Sequence, residues 1–313
     1  MKEQAKFILI AGIIFNAGLW YAASVSAQET AEAYRVDVFE TSESPIVNVR
    51  TSGGFVEIFG HEQNEVISEM YVRKGSRYLS TSDIDLSDFE ITIEKNGDEV
   101  TIMAIAEQNR VRFFSTNRRP SVSFRVYVPF NAVAAGRTSG GHVIASELNN
   151  GIELRTSGGN ITANEITGEV ALRTSGGRIE LSDLSGNIVA KTSGGSIDVN
   201  QLTGVAELRT SGGNIDLRNI SANIEARTSG GGISASFAAF DEDIILHTSG
   251  GNIRIEIPDK ENFDLELRGQ RVNIELRNFS GEAERNNIKG YVGSGGPLLN
   301  ARTSGGSVSV DYR

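Results

Sequence analysis

The sequence predicts an all-β protein, a solenoid of 18-residue coils with a β-rich cap at its N-terminal end. Three observations predict it. The tetrapeptide Thr-Ser-Gly-Gly recurs at a step of 18 residues, apolar residues alternate between its copies, and 35 glycines accompany only 5 prolines. A fixed period of this length is typical of a chain that stacks one structural unit on the next.

The tetrapeptide repeat sets the architecture. Six copies follow one another at steps of 18 residues, and a seventh begins 20 residues after the sixth. Chance does not produce six copies in register. The first residues of the seven copies are Thr138, Thr156, Thr174, Thr192, Thr210, Thr228 and Thr248. Two further copies begin at Thr51 and Thr303, and residues 293–296 form a degenerate copy.

Apolar residues alternate within each repeat when positions are counted from its first threonine. Positions 6, 8, 11, 15 and 17 are nearly all apolar, as in Ile179, Leu181, Leu184 and Ile188, and mostly polar residues separate them. Alternation with period two predicts two short strands per repeat, each with one buried face. Gly186 and its equivalents mark a second bend. Two bends close a coil, so successive coils can pair in parallel about 4.8 Å apart.

The paired glycines of each copy are predicted to lie in a bend that needs positive φ, which a Cβ resists. We therefore expect Gly177→Val to destabilise the solenoid. The alternation also turns each first threonine inward, which predicts a ladder of internal hydroxyls. The structural glycines are Gly140, Gly141, Gly158, Gly159, Gly176, Gly177, Gly194, Gly195, Gly212, Gly213, Gly230, Gly231, Gly250 and Gly251.

Residues 1–27 have the order of a secretory signal peptide. Two lysines precede an apolar run from Phe7 to Ala23, and the small residues Val25 and Ala27 fit the site that signal peptidase reads. We expect cleavage after Ala27 and export to the periplasm or cell surface, with no transmembrane segment thereafter. An uncleaved anchor is the alternative, although the run is short for a span of roughly 20 residues.

The rest of the chain divides by the regularity of its repeat. Residues 28–136 are expected to be a β-rich capping region that includes one divergent coil, residues 137–251 the regular solenoid, and residues 252–313 irregular C-terminal coils of the same solenoid. The open end of a solenoid is an unpaired strand edge, so a cap is needed there. Seven strands are predicted in it, at 34–40, 46–50, 55–59, 66–72, 89–94, 99–105 and 122–128.

Composition and charge exclude several kinds of site. The chain has no cysteine, which excludes disulfides, thiolate metal sites and thiol nucleophiles. Its formal net charge of −10 argues against general binding of nucleic acid. The histidines His61, His142 and His247 occupy unrelated places in the repeat. We therefore expect no metal and no cofactor.

Two charged columns follow from the repeat. Position 7 offers Glu180, Asp198 and Asp216 on consecutive coils, where a solvated, ion-paired face is favoured over a cation site or acid–base pair. Position 18 is a basic column with glutamates two residues earlier in three repeats, which favours a salt-bridged exterior over a site for polyanions. Its members are Arg137, Arg155, Arg173, Lys191, Arg209, Arg227 and His247.

The pattern Arg-Thr-Ser-Gly-Gly-x-Ile-x-Leu, with the segment Ser123–Pro129 before it, resembles the bacterial putative-adhesin family of β-strand-repeat domains of unknown function. The resemblance covers Tyr34 to Tyr312. It implies a right-handed β-helix-like solenoid at the cell envelope and supplies no catalytic residues. We interpret the chain as an exported structural or interaction module and not an enzyme. The alternatives are a carbohydrate-active enzyme of β-helix type and a partner domain of an envelope signalling system.

One segment departs from the acidic character of the chain. Within the connection between Ile105 and Val122, residues 108–120 carry four arginines, no acid and two adjacent phenylalanines. Arginine beside exposed aromatic residues is typical of contact surfaces, although the same residues could be solvated positions of a strand extension. The candidate residues are Arg110, Arg112, Phe113, Phe114, Arg118 and Arg119. The partner expected here is an unidentified anionic envelope component, an acidic glycan or lipid head groups.

Overall fold

The computed structural model describes residues 32–80, 86–107 and 120–313, and it is all-β over these ranges. Strands β1 to β24 join one continuous sheet that coils into a solenoid around a single apolar core. The strands of the cap and the first coils are β1 (Arg35–Glu40), β2 (Ile46–Thr51), β3 (Val56–His61), β4 (Glu65–Lys74), β5 (Arg77–Leu79), β6 (Phe89–Asn96), β7 (Glu99–Ala106), β8 (Ser121–Pro129), β9 (Val133–Arg137), β10 (Val143–Leu148) and β11 (Ile152–Arg155). Those of the remaining coils are β12 (Ile161–Arg173), β13 (Ile179–Lys191), β14 (Ile197–Arg209), β15 (Ile215–Arg227), β16 (Ile233–Phe237), β17 (Ile244–Thr248), β18 (Ile253–Ile257), β19 (Phe263–Arg268), β20 (Arg271–Ile274), β21 (Phe279–Ala283), β22 (Asn287–Val292), β23 (Leu298–Thr303) and β24 (Ser307–Tyr312).

The regular coils stack in parallel with a register of one repeat. Ile161 pairs with Ile179, Ile179 with Ile197 and Ile197 with Ile215, so each inward position forms a continuous apolar column. These isoleucines are completely buried. Strands β12 to β15 each run through 13 residues, so the two strands expected per repeat are joined by ladder pairs across the second bend. One coil cannot bury its apolar face alone, and the stack buries it.

The bend at the two glycines differs from the expected one. Glycines with positive φ occur in the described chain, but those of the Thr-Ser-Gly-Gly copies are not among them. The second glycine is needed because consecutive coils touch there: a Cβ on Gly177 would lie 1.9 Å from the carbonyl oxygen of Gly159. The first glycine has more room, since a Cβ on Gly176 would lie 3.7 Å from its nearest neighbour. The prediction of positive φ at the paired glycines was therefore wrong.

Positive φ is concentrated instead at the second bend. At position 10, five consecutive coils hold a residue other than glycine at φ between 54° and 61°. These residues are Glu147, Glu165, Asp183, Gln201 and Asn219. Three residues later, Gly168, Gly186 and Gly204 have φ between 105° and 130°. The second bend thus combines one strained side-chain position with one position that suits only glycine.

The buried threonines join neighbouring coils. The hydroxyl of Thr174 donates to the carbonyl oxygen of Gly159 at 2.9 Å and accepts from the backbone N–H of Gly177 at 3.2 Å. The same pair of contacts recurs at Thr156, and again at Thr192. Each hydroxyl therefore satisfies a buried donor and a buried acceptor at the tight bend. The expected internal ladder is present, and its hydroxyls bridge the backbones of two coils.

At both ends, the order of strands in the stack differs from their order in the chain. Strand β2 lies between β7 and β9, so the Thr51 copy is a coil of the solenoid and lies between later segments. At the other end β23 lies between β17 and β19. Antiparallel partners then complete the ends, β6 on β7 and β22 on β19. No helix in the described ranges is long and apolar enough to cross a bilayer.

Candidate binding groove

A ladder of basic side chains runs along the coils beside the Thr-Ser-Gly-Gly bends. The parallel register places position 18 of each coil directly over that of the next, from Arg50 at one end to Arg268 at the other. We call this set the basic ladder. In stack order its members are Arg50, Arg137, Arg155, Arg173, Lys191, Arg209, Arg227, His247, Arg302 and Arg268.

The ladder is longer than the sequence predicted. Arg50 and Arg302 directly precede the outlying copies at Thr51 and Thr303, so the repeat itself could have identified them. Arg268 precedes no copy, and only its pairing with Arg302 reveals its place. The ladder holds nine arginines and lysines. The adjacent column at position 16 contributes the glutamates Glu153, Glu207, Glu225 and Glu266, which leaves an excess of five positive charges in a chain of net charge −10.

Ion pairs neutralise two stretches of the basic ladder, in line with the salt-bridged exterior that the sequence favours. Glu207 lies 2.9 Å from Lys191 and 2.6 Å from Arg209, and Glu225 lies 2.9 Å from Arg209 and 3.0 Å from Arg227. A hydrogen bond from Lys191 holds the pKa of Glu207 below its ordinary value, so this carboxylate stays ionised.

A shorter stretch of the ladder is neutralised near the cap. Glu153 is bracketed by Arg137 at 2.8 Å and Arg155 at 2.7 Å.

A groove of about 600 Å³ follows the ladder from Arg173 to Arg302. Basic side chains form one wall, the buried threonines lie beneath, and the outward serines at position 2 form the other wall. Side chains two residues apart on a strand share a face, which is why the basic and serine columns face the same side. The serines in the groove are Ser193, Ser211, Ser229, Ser249 and Ser304. Their hydroxyls have no hydrogen-bond partner within the described ranges.

The two ends of the groove differ electrostatically from its middle. Arg173 has Ala171 and Val189 beside it where other coils place glutamate. Arg302 has Asn300 on its own coil and Glu266 on the next, but Glu266 pairs with Lys289 at 2.8 Å and accepts a hydrogen bond from Asn300. Neither guanidinium forms an ion pair with any residue that the structure describes. Exposed arginines without a carboxylate partner are ready donors for an incoming anion, because guanidinium is always charged and presents several N–H groups.

Two members of the acidic column at position 7 are ion-paired. Arg178 lies 3.4 Å from Glu180 and 3.5 Å from Asp198. Burial, followed by repulsion from Asp198, raises the pKa of Asp216. The described ranges contain no group of three or more histidines and acids arranged to hold a metal ion.

The histidines lie far apart and each has its own partner. His61 contacts Gln63 at 2.7 Å, and His247 contacts Asn300 at 3.0 Å. His142 stacks on Phe55 and lies 3.3 Å from Glu57.

Glu57 belongs to a small charged network on the cap. Burial alone would raise its pKa, but hydrogen bonds from His142 and from Arg125, which lies at 2.8 Å, outweigh burial and lower the pKa. The network is packed: Arg125 also covers the ring of Tyr71 at 5.6 Å. We interpret this network as a structural connection between the cap and the first coils.

The arginine-rich segment cannot be placed in this arrangement. Arg110, Arg112, Phe113, Phe114, Arg118 and Arg119 lie outside the described residues, as does the predicted signal sequence of residues 1–27. The segment continues from β7 on one side and precedes β8 on the other.

Comparison with known proteins identifies the family. The sequence matches Toastrack DUF4097 over residues 24–311. The chain belongs to this family. Toastrack DUF4097 is a family of unknown function, and this agrees with the resemblance drawn from the repeat. No curated protein matches the sequence.

A solved structure also aligns with the chain. It is described as a putative cell adhesion protein from Clostridium sporogenes, at 10% sequence identity and a TM-score of 0.23, and the alignment covers 89% of this chain and 99% of that one.

Proposed function

We propose that this Toastrack domain is an exported, non-catalytic interaction module of the bacterial cell envelope, and that it binds an anionic envelope polymer along the groove. The observation that carries the proposal is the basic ladder, which concentrates positive charge on one line of an otherwise acidic protein. Like charges stacked at strand spacing repel one another, so the ladder costs stability. A ligand that supplies negative charge would relieve this repulsion.

The shape of the surface supports a polymer in preference to a small molecule. The groove extends along the coils from β12 to β23, and the same residue types recur along it about 4.8 Å apart. Small-molecule sites are enclosed and mostly apolar, which this groove is not. An extended chain can contact many coils at once, and weak contacts then add up to useful affinity.

A carbohydrate-active enzyme is the less favoured alternative. Such an enzyme needs two carboxylates placed for acid–base work, with one of them at a raised pKa. Asp216 has a raised pKa, but its neighbour Asp198 is in contact with Arg178 and Ser196. The acidic column also lies on the surface, away from the groove. Export rests on the order of residues 1–27 and is tested by finding Gln28 at the N-terminus of the secreted protein.

The binding proposal is tested by cosedimentation with an acidic glycan and with anionic lipid vesicles at low and moderate salt. Two variants separate the possible sites. One changes Arg173 and Arg302 to glutamine, and the other changes Arg110, Arg112, Arg118 and Arg119 to serine. The groove predicts salt-sensitive binding that the first variant weakens and the second retains. Loss only in the second variant would assign binding to the arginine-rich segment. Equal binding by all three proteins would contradict both sites.

A further inference from the structure

We infer that the groove selects an extended glycan whose acidic groups are separated by neutral sugars, and that Arg173 and Arg302 hold the acidic groups. This inference rests on the proposed function. It goes beyond charge complementarity, because it follows from how the charges are distributed along the groove.

The unpaired charges lie at the two ends. Five strand steps separate Arg173 from Arg302, through β13, β14, β15 and β17. At strand spacing this is about 24 Å. Two free guanidiniums so far apart match acidic groups that are widely spaced on an extended ligand, and each can form charge-assisted hydrogen bonds with a carboxylate or phosphate.

The middle of the groove is almost neutral. Lys191, Arg209 and Arg227 share the carboxylates of Glu207 and Glu225, so three positive charges face two negative ones. A polymer with an acidic group on every unit would bring its charges against these glutamates. Binding would then require breaking existing ion pairs or tolerating like-charge contact, and both reduce affinity.

The middle does offer hydroxyl groups. Ser193, Ser211 and Ser229 line it with side chains that have no protein partner in the described chain. A serine hydroxyl both donates and accepts, as a sugar hydroxyl does. Next to Arg173, the exposed side chain of Val189 adds a small apolar surface where a sugar ring can rest. These groups suit neutral sugars between the two acidic positions.

The test compares oligomers of equal length that differ in charge density. The probes are an alternating glycan of uronic acid and N-acetylhexosamine, a polyuronate, a polyphosphate and neutral dextran, measured by titration calorimetry on the exported chain. We expect the alternating glycan to bind about tenfold more tightly than the polyuronate or polyphosphate, a difference of about 1.4 kcal/mol. Dextran should bind weakly or not at all.

Two pairs of substitutions assign the effect to the groove. Arg173→Gln with Arg302→Gln should weaken binding of the alternating glycan about tenfold or more. Glu207→Gln with Glu225→Gln should improve binding of the two dense polymers and remove the preference. Arg218→Gln with Arg254→Gln removes two exposed positive charges outside the groove and should leave the order of affinities unchanged.

The outcomes separate this inference from the proposed function. If the arginine pair is needed but the dense polymers bind as tightly as the alternating glycan, the selectivity is wrong and the anion-binding groove stands. If no probe binds in a manner that depends on Arg173 and Arg302, both are wrong. The expected order of affinities in the unsubstituted protein, together with loss of the preference in the glutamate variant, supports both.

Discussion

The two bends of each coil solve the same geometric problem in different ways. The Thr-Ser-Gly-Gly bend repeats nearly unchanged, keeps its glycines out of the positive-φ region and brings consecutive backbones into contact. The second bend varies in sequence and holds position 10 at positive φ in five consecutive coils. The choice of residues at the first bend is therefore limited by the space between coils, and the choice at the second bend is limited by backbone conformation within a coil.

The charges on the two bends also differ. The basic ladder runs beside the first bend, whereas the strained positions of the second bend include Glu147, Glu165 and Asp183. The first bend can vary little because its hydroxyls and glycines join the coils. Its regular spacing is what keeps the basic and serine columns aligned, so the stability of this bend and the shape of the groove have one structural cause.

The largest expected effect contrasts the two glycines of one bend. Gly177→Ala places a Cβ 1.9 Å from the carbonyl oxygen of Gly159, so the coils must separate. We expect a loss of about 3 kcal/mol or more in the free energy of unfolding. Gly176→Ala finds only ordinary contacts and should change stability by less than about 1 kcal/mol. Thermal melts followed by circular dichroism compare them. Similar melting temperatures for the two variants would show that the coils do not touch at Gly177.

A smaller loss of stability is expected when the buried hydroxyl of Thr174 is removed. Thr174→Val leaves the N–H of Gly177 and the carbonyl of Gly159 without this partner, at a cost of about 1–3 kcal/mol. Thr174→Ser keeps the hydroxyl and is the matched control, with a smaller loss from the missing methyl group. Equal destabilisation by valine and serine would mean that packing, and not the hydrogen bonds, determines the role of the threonine.

The smallest effect has the opposite sign and concerns the second bend. Glu165 has φ 54°, so Glu165→Gly removes strain that outweighs the entropy lost by the more flexible glycine. We expect a gain of a few tenths to about 1 kcal/mol. Thr162→Gly, in the extended part of the same strand β12, should instead destabilise by about 1 kcal/mol. Chemical denaturation measures both. Loss of stability in both variants would place the strain of the second bend in doubt.

Most of the solenoid could be predicted from the repeat because its period fixes register. Alternation identified the buried columns from Ile179 to Ile188, and the inward threonines followed from the same parity. However, a bend can require glycine for either of two reasons, a positive φ or a lack of space for a Cβ. Sequence alone cannot distinguish them at Gly177, because the second depends on the distance to the next coil.

The ends of the solenoid and the groove were less predictable for a related reason. Strand pairing between β2 and β7, or between β19 and β23, joins segments that follow no period. The basic column was visible in the sequence, but which of its members are neutralised depends on side-chain contacts. The sequence distinguishes Arg209, which follows Glu207, from Arg173, which follows Ala171, but only the structure shows that Arg209 also contacts Glu225 of the next coil.

Arginine footprinting tests the central claim, that the first bend forms a binding groove for an acidic glycan, most directly. The purified protein is treated with an arginine-selective reagent, with and without the alternating acidic glycan, and modification at each site is measured by mass spectrometry. The account predicts protection at Arg173 and Arg302, with Arg218 and Arg254 unchanged. Protection confined to Arg110, Arg112, Arg118 and Arg119, or spread equally over all exposed arginines, would contradict it.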